Sequence, residues 1–368
     1  MRGFWAVLKK EALHMLRDRG TLQFAFILPV FELILFGLID MNIKHVPTVV
    51  FDQSRTRESR ELVQQLANTS YFDVVEFVDS RKQLQQEIVA SRASVGIEIP
   101  PDFARKRLAR ESADFLILID GSDSNVSSQT LAAANGLALS RSLQELAARV
   151  GVDEMPLSAH PLLLFNPDSR SANLLIPGLV AILLTFSGTL LAAFAIVRER
   201  ERGTLEQLMV TPVSPVGVVM GKLIPYMVLS CIQLIVILAM MVFIFRVPIH
   251  GNLPLLLGLS LIYLFSLLSM SLLVSSRAKT QMEAIQRAQA VLLPSIFLSG
   301  YVFPIASLPV PLQMLSKILP ATHFIAISRG IIIRGATFSD LWPNVAALLI
   351  IAVLLIAFSA RAFQKTIS

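Results

Sequence analysis

Residues Leu174 to Val197 read LLIPGLVAILLTFSGTLLAAFAIV, and Arg198 to Lys222, which follow, read RERERGTLEQLMVTPVSPVGVVMGK. A helix crosses a hydrocarbon core with about 20 apolar residues, and the first stretch is long enough and carries no charge. The second packs three arginines and three glutamates into a short polar knot. An uncharged run ending in a charged one predicts a transmembrane helix that meets water at Arg198.

Working outward, Leu22–Ile39, Leu223–Phe245, Leu255–Val274 and Val345–Phe358 with its flanks repeat the pattern, and Ala284–Phe303 does so with interruptions at Pro294 and Gly300. The composition agrees: 54% of residues are hydrophobic, 16% are charged and mean hydropathy is +0.65, which excludes an ordinary soluble domain of this length. The fold class expected is therefore a polytopic α-helical membrane protein with six transmembrane helices. The first span follows a twenty-residue start, MRGFWAVLKKEALHMLRDRG, and no small-residue cleavage site follows it, so it reads as a retained anchor.

Orientation follows from Lys and Arg in the short loops. One side collects Arg2, Lys9, Lys10, Arg17, Arg19, Arg198, Arg200, Arg202, Lys222, Arg277, Lys279, Arg287, Arg361 and Lys365; the other has Arg246, Lys317, Arg329 and Arg334. Both termini are then cytoplasmic. The net charge of +6 reflects this asymmetry and predicts no nucleic-acid partner. The single cysteine, Cys231, falls inside the third span, which rules out an intrachain disulfide. Residues 1–20 place Phe4, Leu8, Met15 and Leu16 at helical spacing among basic residues, as expected of an amphipathic helix on membrane lipid.

Residues 21–43 form the first span, and 44–173 have soluble composition and face outside. Stretches such as VPTVVFDQ (46–53), YFDVVEFV (71–78), ASVGIEIP (93–100) and ADFLILIDGS (113–122) read as strands. They alternate with helical stretches at 54–69, 80–91, 101–112 and 128–150, which predicts an α/β extracytoplasmic domain inserted between helices 1 and 2. Asp52, Asp120 and Asp123 stand at strand ends, where α/β folds place ligands. The stronger reading of DGSDSN (120–125) is turn chemistry, and no Ser/His/Asp or Cys/His set accompanies it.

In the knot, Thr204 and Gln207 match a capping box, so a short helix starts there. Leu205, Leu208 and Met209 give it an apolar ridge, Glu206 and Gln207 a polar face, and Pro212 stops it. Ser214 and Pro215 open the next helix, while Gly203 permits the reversal out of the second span. Alternating Arg198, Glu199, Arg200, Glu201 and Arg202 offer charged hydrogen bonds to a partner surface; a solvated turn would need only the arginines. GVVMGKL (217–223) resembles a phosphate-binding loop, but it is one residue short and Leu223 lacks the hydroxyl that would hold the metal. ATP binding by this chain is not expected.

After the fifth span, Pro304, Pro309, Pro311 and Pro320 cut LSGYVFPIASLPVPLQMLSKILPATHFIAISRGI (298–331) into helices too short to cross, which predicts a re-entrant cap. That motif, the knot RERERGTLEQLMVTP and the amphipathic start together resemble the permease subunit of an ABC-2 type ABC exporter, in the subgroup with a large external domain between spans one and two.

The resemblance implies a bundle over 174–368 that works as a dimer with a second permease, identical or related. Two cytoplasmic ATP-binding subunits supply ATP and Mg, with no cofactor on this chain. It further implies that Thr204–Thr211 is the coupling helix, that the N-terminal helix is an interface helix beside it, and that residues near 304–324 form the external hairpin shaping the exit. The expected location is the bacterial inner membrane. Some members of the family also work with a periplasmic membrane-fusion adaptor, of which no motif here is a mark.

Glu32 lies within the first span, three residues after Pro29 in FILPVFELILFG (26–37). A carboxylate at that depth costs about 2.5–3.5 kcal/mol on insertion scales, so it should face the bundle interior as a path-lining residue or as a structural partner. Phe297, Tyr301, Phe303, Pro304 and His323 are the other candidates for the path or its gate. Gln233, Ser266, Ser269 and Ser271 are candidates for bonds between helices. Rival functions are an ion-coupled carrier using Glu32, a ligand-sensing receptor, and an intramembrane serine hydrolase using Ser299 and His323. The last lacks the extra glycine expected before IFLSG (296–300) and a residue to orient the histidine.

Overall fold

The computed structural model describes residues 2–40, 44–69, 71–109, 111–150, 164–201, 203, 215–275 and 278–365. Two compact units make up the chain: Met1–Asp40 with Leu163–Ser368, and Met41–Leu162. The first opens with α1 (Arg2–Arg17) and α2 (Arg19–Gly37). The second contains β1 (Val46–Asp52), α3 (Arg57–Asn68), β2 (Phe72–Phe77), α4 (Arg81–Val89), β3 (Val95–Ile99), α5 (Phe103–Leu108), β4 (Leu116–Ile119) and α6 (Ser124–Val150).

Its sheet runs β2-β1-β3-β4, with β1 parallel to both β2 and β3 and β4 antiparallel to β3. The central strands β1 and β3 bury Val49, Val50, Val95, Ile97 and Ile99, the near-continuous apolar run of strands covered on both faces. Thr56 caps α3 in a reciprocal box with Ser59. The three aspartates at the strand ends make turn bonds, as the turn reading expects. Asp52 accepts from the Ser54 and Arg55 amides and the Ser59 hydroxyl, Asp120 from the Ser122 amide, and Asp123 from the Asn125 and Val126 amides. The Ser122 bonds hold the Asp120 carboxyl below its ordinary range. Ile97→Val in this fully buried strand is expected to cost about 0.5–1.5 kcal/mol, read as faster proteolysis within 44–150 of the full chain.

The first unit continues with α7 (Ser171–Glu201), α8 (Pro215–Phe243), α9 (Leu253–Ser275), α10 (Gln281–Leu298), a 3-10 turn (Ile305–Ser307), α11 (Val310–Ser316), α12 (Pro320–Arg334) and α13 (Phe338–Lys365). Among the described residues four helices are long and apolar enough to cross a membrane: Ser171–Ala193, Met220–Phe243, Leu253–Ser275 and Phe338–Ser359. A fifth arises if α11 and α12, bent by 78°, count as one span. The sixfold count exceeds this for two reasons. The apolar part of α2 is only Ala25–Gly37, and α10 begins with Gln281, Glu283 and Arg287.

Helix α7 is the hub. Its apolar window is 83% buried, against 22% for that of α13, and α7 packs on α2, α8, α9, α10 and α12. Leu179, Leu183, Ile237, Met241, Tyr263, Phe324 and Leu348 meet in the core. Polar bonds tie the helices where apolar side chains give no direction: Tyr263 donates to the Ala181 carbonyl at 2.9 Å, Ser328 to the Pro177 carbonyl at 2.8 Å, and Ser359 to the Ser269 carbonyl at 2.8 Å. Of the four residues expected to bond between helices, Gln233 does so, accepting from Ser187 at 2.7 Å. Ser266 and Ser271 instead bond to carbonyls one turn back in their own helix, the local alternative open to any helical serine, and Ser269 takes part through its backbone. Ser187→Ala leaves the Gln233 oxygen buried without its donor. A loss of about 1–3 kcal/mol is expected, measured by thermal unfolding in detergent.

Candidate functional site

The knot is bracketed by two polar links. Upstream, α7 carries Arg198, Glu199, Arg200 and Glu201 on its last turn. The Glu201 carboxylate accepts from the Gln281 amide at 2.8 Å and from its side chain at 2.7 Å. Gln281 opens α10 behind the Thr280 cap, so an anion sits where free amides and the helix dipole favour one. This glutamate, expected to offer its charge to a partner surface, is engaged within the chain. Gly203 has φ of +66°, the left-handed geometry expected of a reversal. Arg202 and the proposed coupling helix, with Thr204, Leu205, Glu206, Gln207 and Leu208, lie outside the described residues.

Downstream, α8 begins at Pro215, and α1 packs along its start. Val7, Glu11 and Met15 are the buried stripe of α1, four residues apart and therefore on one face; Trp5, Leu13 and Leu16 lie exposed. Gly221 is where the two helices approach: a Cβ there would lie 2.9 Å from Val7 Cγ1. Next to it, Lys222 Nζ stands 2.8 Å from Glu11 Oε1, with side-chain exposures of 0% and 5%. Lys222 was counted from sequence among the flank charges, and its side chain is fully enclosed. The missed signal was Glu11 within an otherwise apolar i, i+4, i+8 stripe.

Among the path candidates, Glu32 is half-buried on α2, which packs chiefly on α7. The others gather at the hairpin. Phe297 and Phe303 lie near-parallel, 6.4 Å apart and about half exposed; Tyr301 sits between them in sequence, and Pro304 precedes the 3-10 turn. His323 engages the Lys317 carbonyl through Nε2 at 2.9 Å and Asn344 through Nδ1 at 3.2 Å. Thr322 donates to the Ser316 carbonyl at 2.7 Å. Two side chains of the first turn of α12 thus satisfy the last carbonyls of α11 and hold the bend. Ser299 Oγ has no partner among the described residues, and both ring nitrogens of His323 are used elsewhere, so the geometry forms no nucleophile–base pair.

A family model described as an ABC-2 family transporter protein matches residues 19–361. The chain belongs to the ABC-2 transporter family. As an ABC-2 permease it is a transport subunit rather than an enzyme, and in this family ATP hydrolysis sits on partner subunits. The chain is 30% identical over 353 residues to the probable multidrug ABC transporter permease YbhR of Escherichia coli K12, covering 94% of each chain. It is 28% identical to YbhS of the same strain, with 97% of this chain and 93% of that one covered. The inner membrane transport permease YhhJ, also of that strain, is 28% identical, with coverage of 97% and 96%. This ABC-2 permease is thus a multi-pass membrane protein.

Proposed function

We propose that this chain is the membrane-spanning permease subunit of an ATP-driven exporter, paired with a second permease around a central path and docked through residues 198–211 onto separate cytoplasmic ATP-binding subunits. In this reading six helices span the inner membrane, α2 and α10 included, both termini are cytoplasmic, and 44–173 is extracytoplasmic. The names of two relatives, probable multidrug permeases, favour drugs as the substrate class.

One observation carries the reading: the enclosed Glu11–Lys222 pair welds the N-terminal helix to the chain emerging from the knot. A partner pushing on 198–214 then moves α1 and the base of α8 as one body, and Glu201 couples the same push to α10. A rigid linkage of this kind lets closure of an ATPase dimer bias a two-state bundle. An ion-coupled carrier would have no use for it.

The test is co-expression with the ATP-binding subunit, comparing wild type with Arg198→Glu/Arg200→Glu. Loss of co-purification together with loss of ATP-dependent efflux from inverted vesicles is the expected result. An intact complex with wild-type efflux would sink the proposal.

A further inference from the structure

A cavity of about 480 Å³ opens between the turn after α10, the segment 164–166 and one face of α12. Small-molecule sites commonly occupy about 300–1,000 Å³ and combine apolar walls with a few placed polar groups. Leu164, Ile305, Ile325 and Ile333 supply apolar wall here, and Arg329 and Ser299, with Asn166 and Thr322, supply polar groups. Arg334 stands exposed at the edge, on the same helix.

Arg329 donates to the Gly300 carbonyl at 2.9 Å and to that of Tyr301 at 3.4 Å. These are neutral acceptors, so the guanidinium keeps its full charge uncompensated; among the described residues no carboxylate pairs with it. Among the described residues neither its Nε, which lies toward Gly178 of α7, nor the Ser299 hydroxyl has a hydrogen-bond partner; Ser299 is 1% exposed and lines the same cavity. Buried polar atoms are nearly always satisfied, and an exception calls for an explanation. Arginine is the side chain best matched to carboxylate and phosphate oxygens. A chain of methylenes on the acid suits the isoleucine walls.

We propose that this cavity binds an anionic amphiphile, its carboxylate or phosphate held at Arg329 and Ser299 and its apolar chain lying along Ile305, Ile325 and Ile333. The site belongs to the chain alone and needs no ATP-binding subunit, so its failure is separable from failure of the transport reading.

The detergent-purified full chain, titrated with dioleoyl phosphatidylglycerol or dioleoyl phosphatidylcholine and read by native mass spectrometry, tests it. One phosphatidylglycerol should bind at a concentration at least tenfold below that needed for phosphatidylcholine. Arg329→Gln should abolish the preference. Because Arg329 also braces the turn at Gly300, Ala326→Phe serves as a second variant: it fills the cavity, leaves those bonds in place and should weaken phosphatidylglycerol binding at least tenfold while the unfolding temperature holds.

Competition by oleate would support an acid taken from any source. Retained tenfold preference without oleate competition would support a bilayer phosphodiester. Equal binding of the two lipids, undiminished binding by Ala326→Phe, or inorganic phosphate binding as tightly as the lipid would each overturn the proposal.

Discussion

Glu11→Ala is expected to detach the N-terminal helix from the bundle at a cost of about 3–5 kcal/mol, the penalty for removing one partner of a buried ion pair. The Lys222 ammonium is fully enclosed and 2.8 Å from the carboxylate. With alanine at 11 the ammonium loses the Glu11 carboxylate, and water takes that oxygen's place only if α1 lifts off. The expected signature is early proteolysis within residues 2–17 and a lowered unfolding temperature in detergent. Glu11→Met with Lys222→Met separates charge from packing, because an apolar replacement of a whole buried pair is often neutral or stabilising by about 1–4 kcal/mol. The double variant should regain the unfolding temperature. If its ATP-dependent efflux also returns, the pair serves as a weld; if efflux stays lost in a stable protein, the charges themselves take part in switching. Wild-type stability in Glu11→Ala would show that the pair does not hold α1.

How much of this was legible in the sequence depended on whether the deciding pattern was local. The long helices at Ser171, Met220, Leu253 and Phe338 announce themselves as charge-free runs. The strands of 46–119 do so by β-branched stretches between turn residues, and the Gly203 reversal by a residue that accepts positive φ. Helices α2 and α10 were harder, because the polar residues that open each helix shorten the apolar window while the helix itself continues. The Glu11–Lys222 pair joins positions 211 residues apart, and no local pattern reports such a distance. The Glu201–Gln281 link was out of reach for the same reason, since the two residues lie 80 positions apart. Serines inside spans were ambiguous in principle, since each can bond to its own helix or to a neighbour, and only packing decides. Arg329 read as a flank charge because its run is short and proline-cut; its partners, the Gly300 and Tyr301 carbonyls, lie 29 and 28 residues back, beyond any local pattern.

The bend between α11 and α12 is the subject of the second large effect. Phe324→Ala is expected to cost about 3–5 kcal/mol, with part of the loss coming from the ring stack itself, worth about 0.5–1.5 kcal/mol beyond area. Phe324 is fully buried and lies 4.2 Å from the ring of Tyr263, the planes within 6° of parallel. Tyr263 in turn reaches across to the Ala181 carbonyl and to Thr185 on α7. The phenylalanine therefore clamps the start of α12 to the hub through α9, immediately beside Thr322 and His323, which cap α11. Removing the ring frees both the stack and the segment that fixes the hairpin angle. Phe324→Leu, which keeps most of the apolar volume but no ring, should fall between wild type and alanine in detergent unfolding. Phe297→Ala and Phe303→Ala remove half-exposed rings at the same hairpin and should move the unfolding temperature far less. If Phe324→Ala unfolds within the shift of those two, the hairpin is not anchored through Tyr263, and its angle must rest on the Thr322 and His323 caps alone.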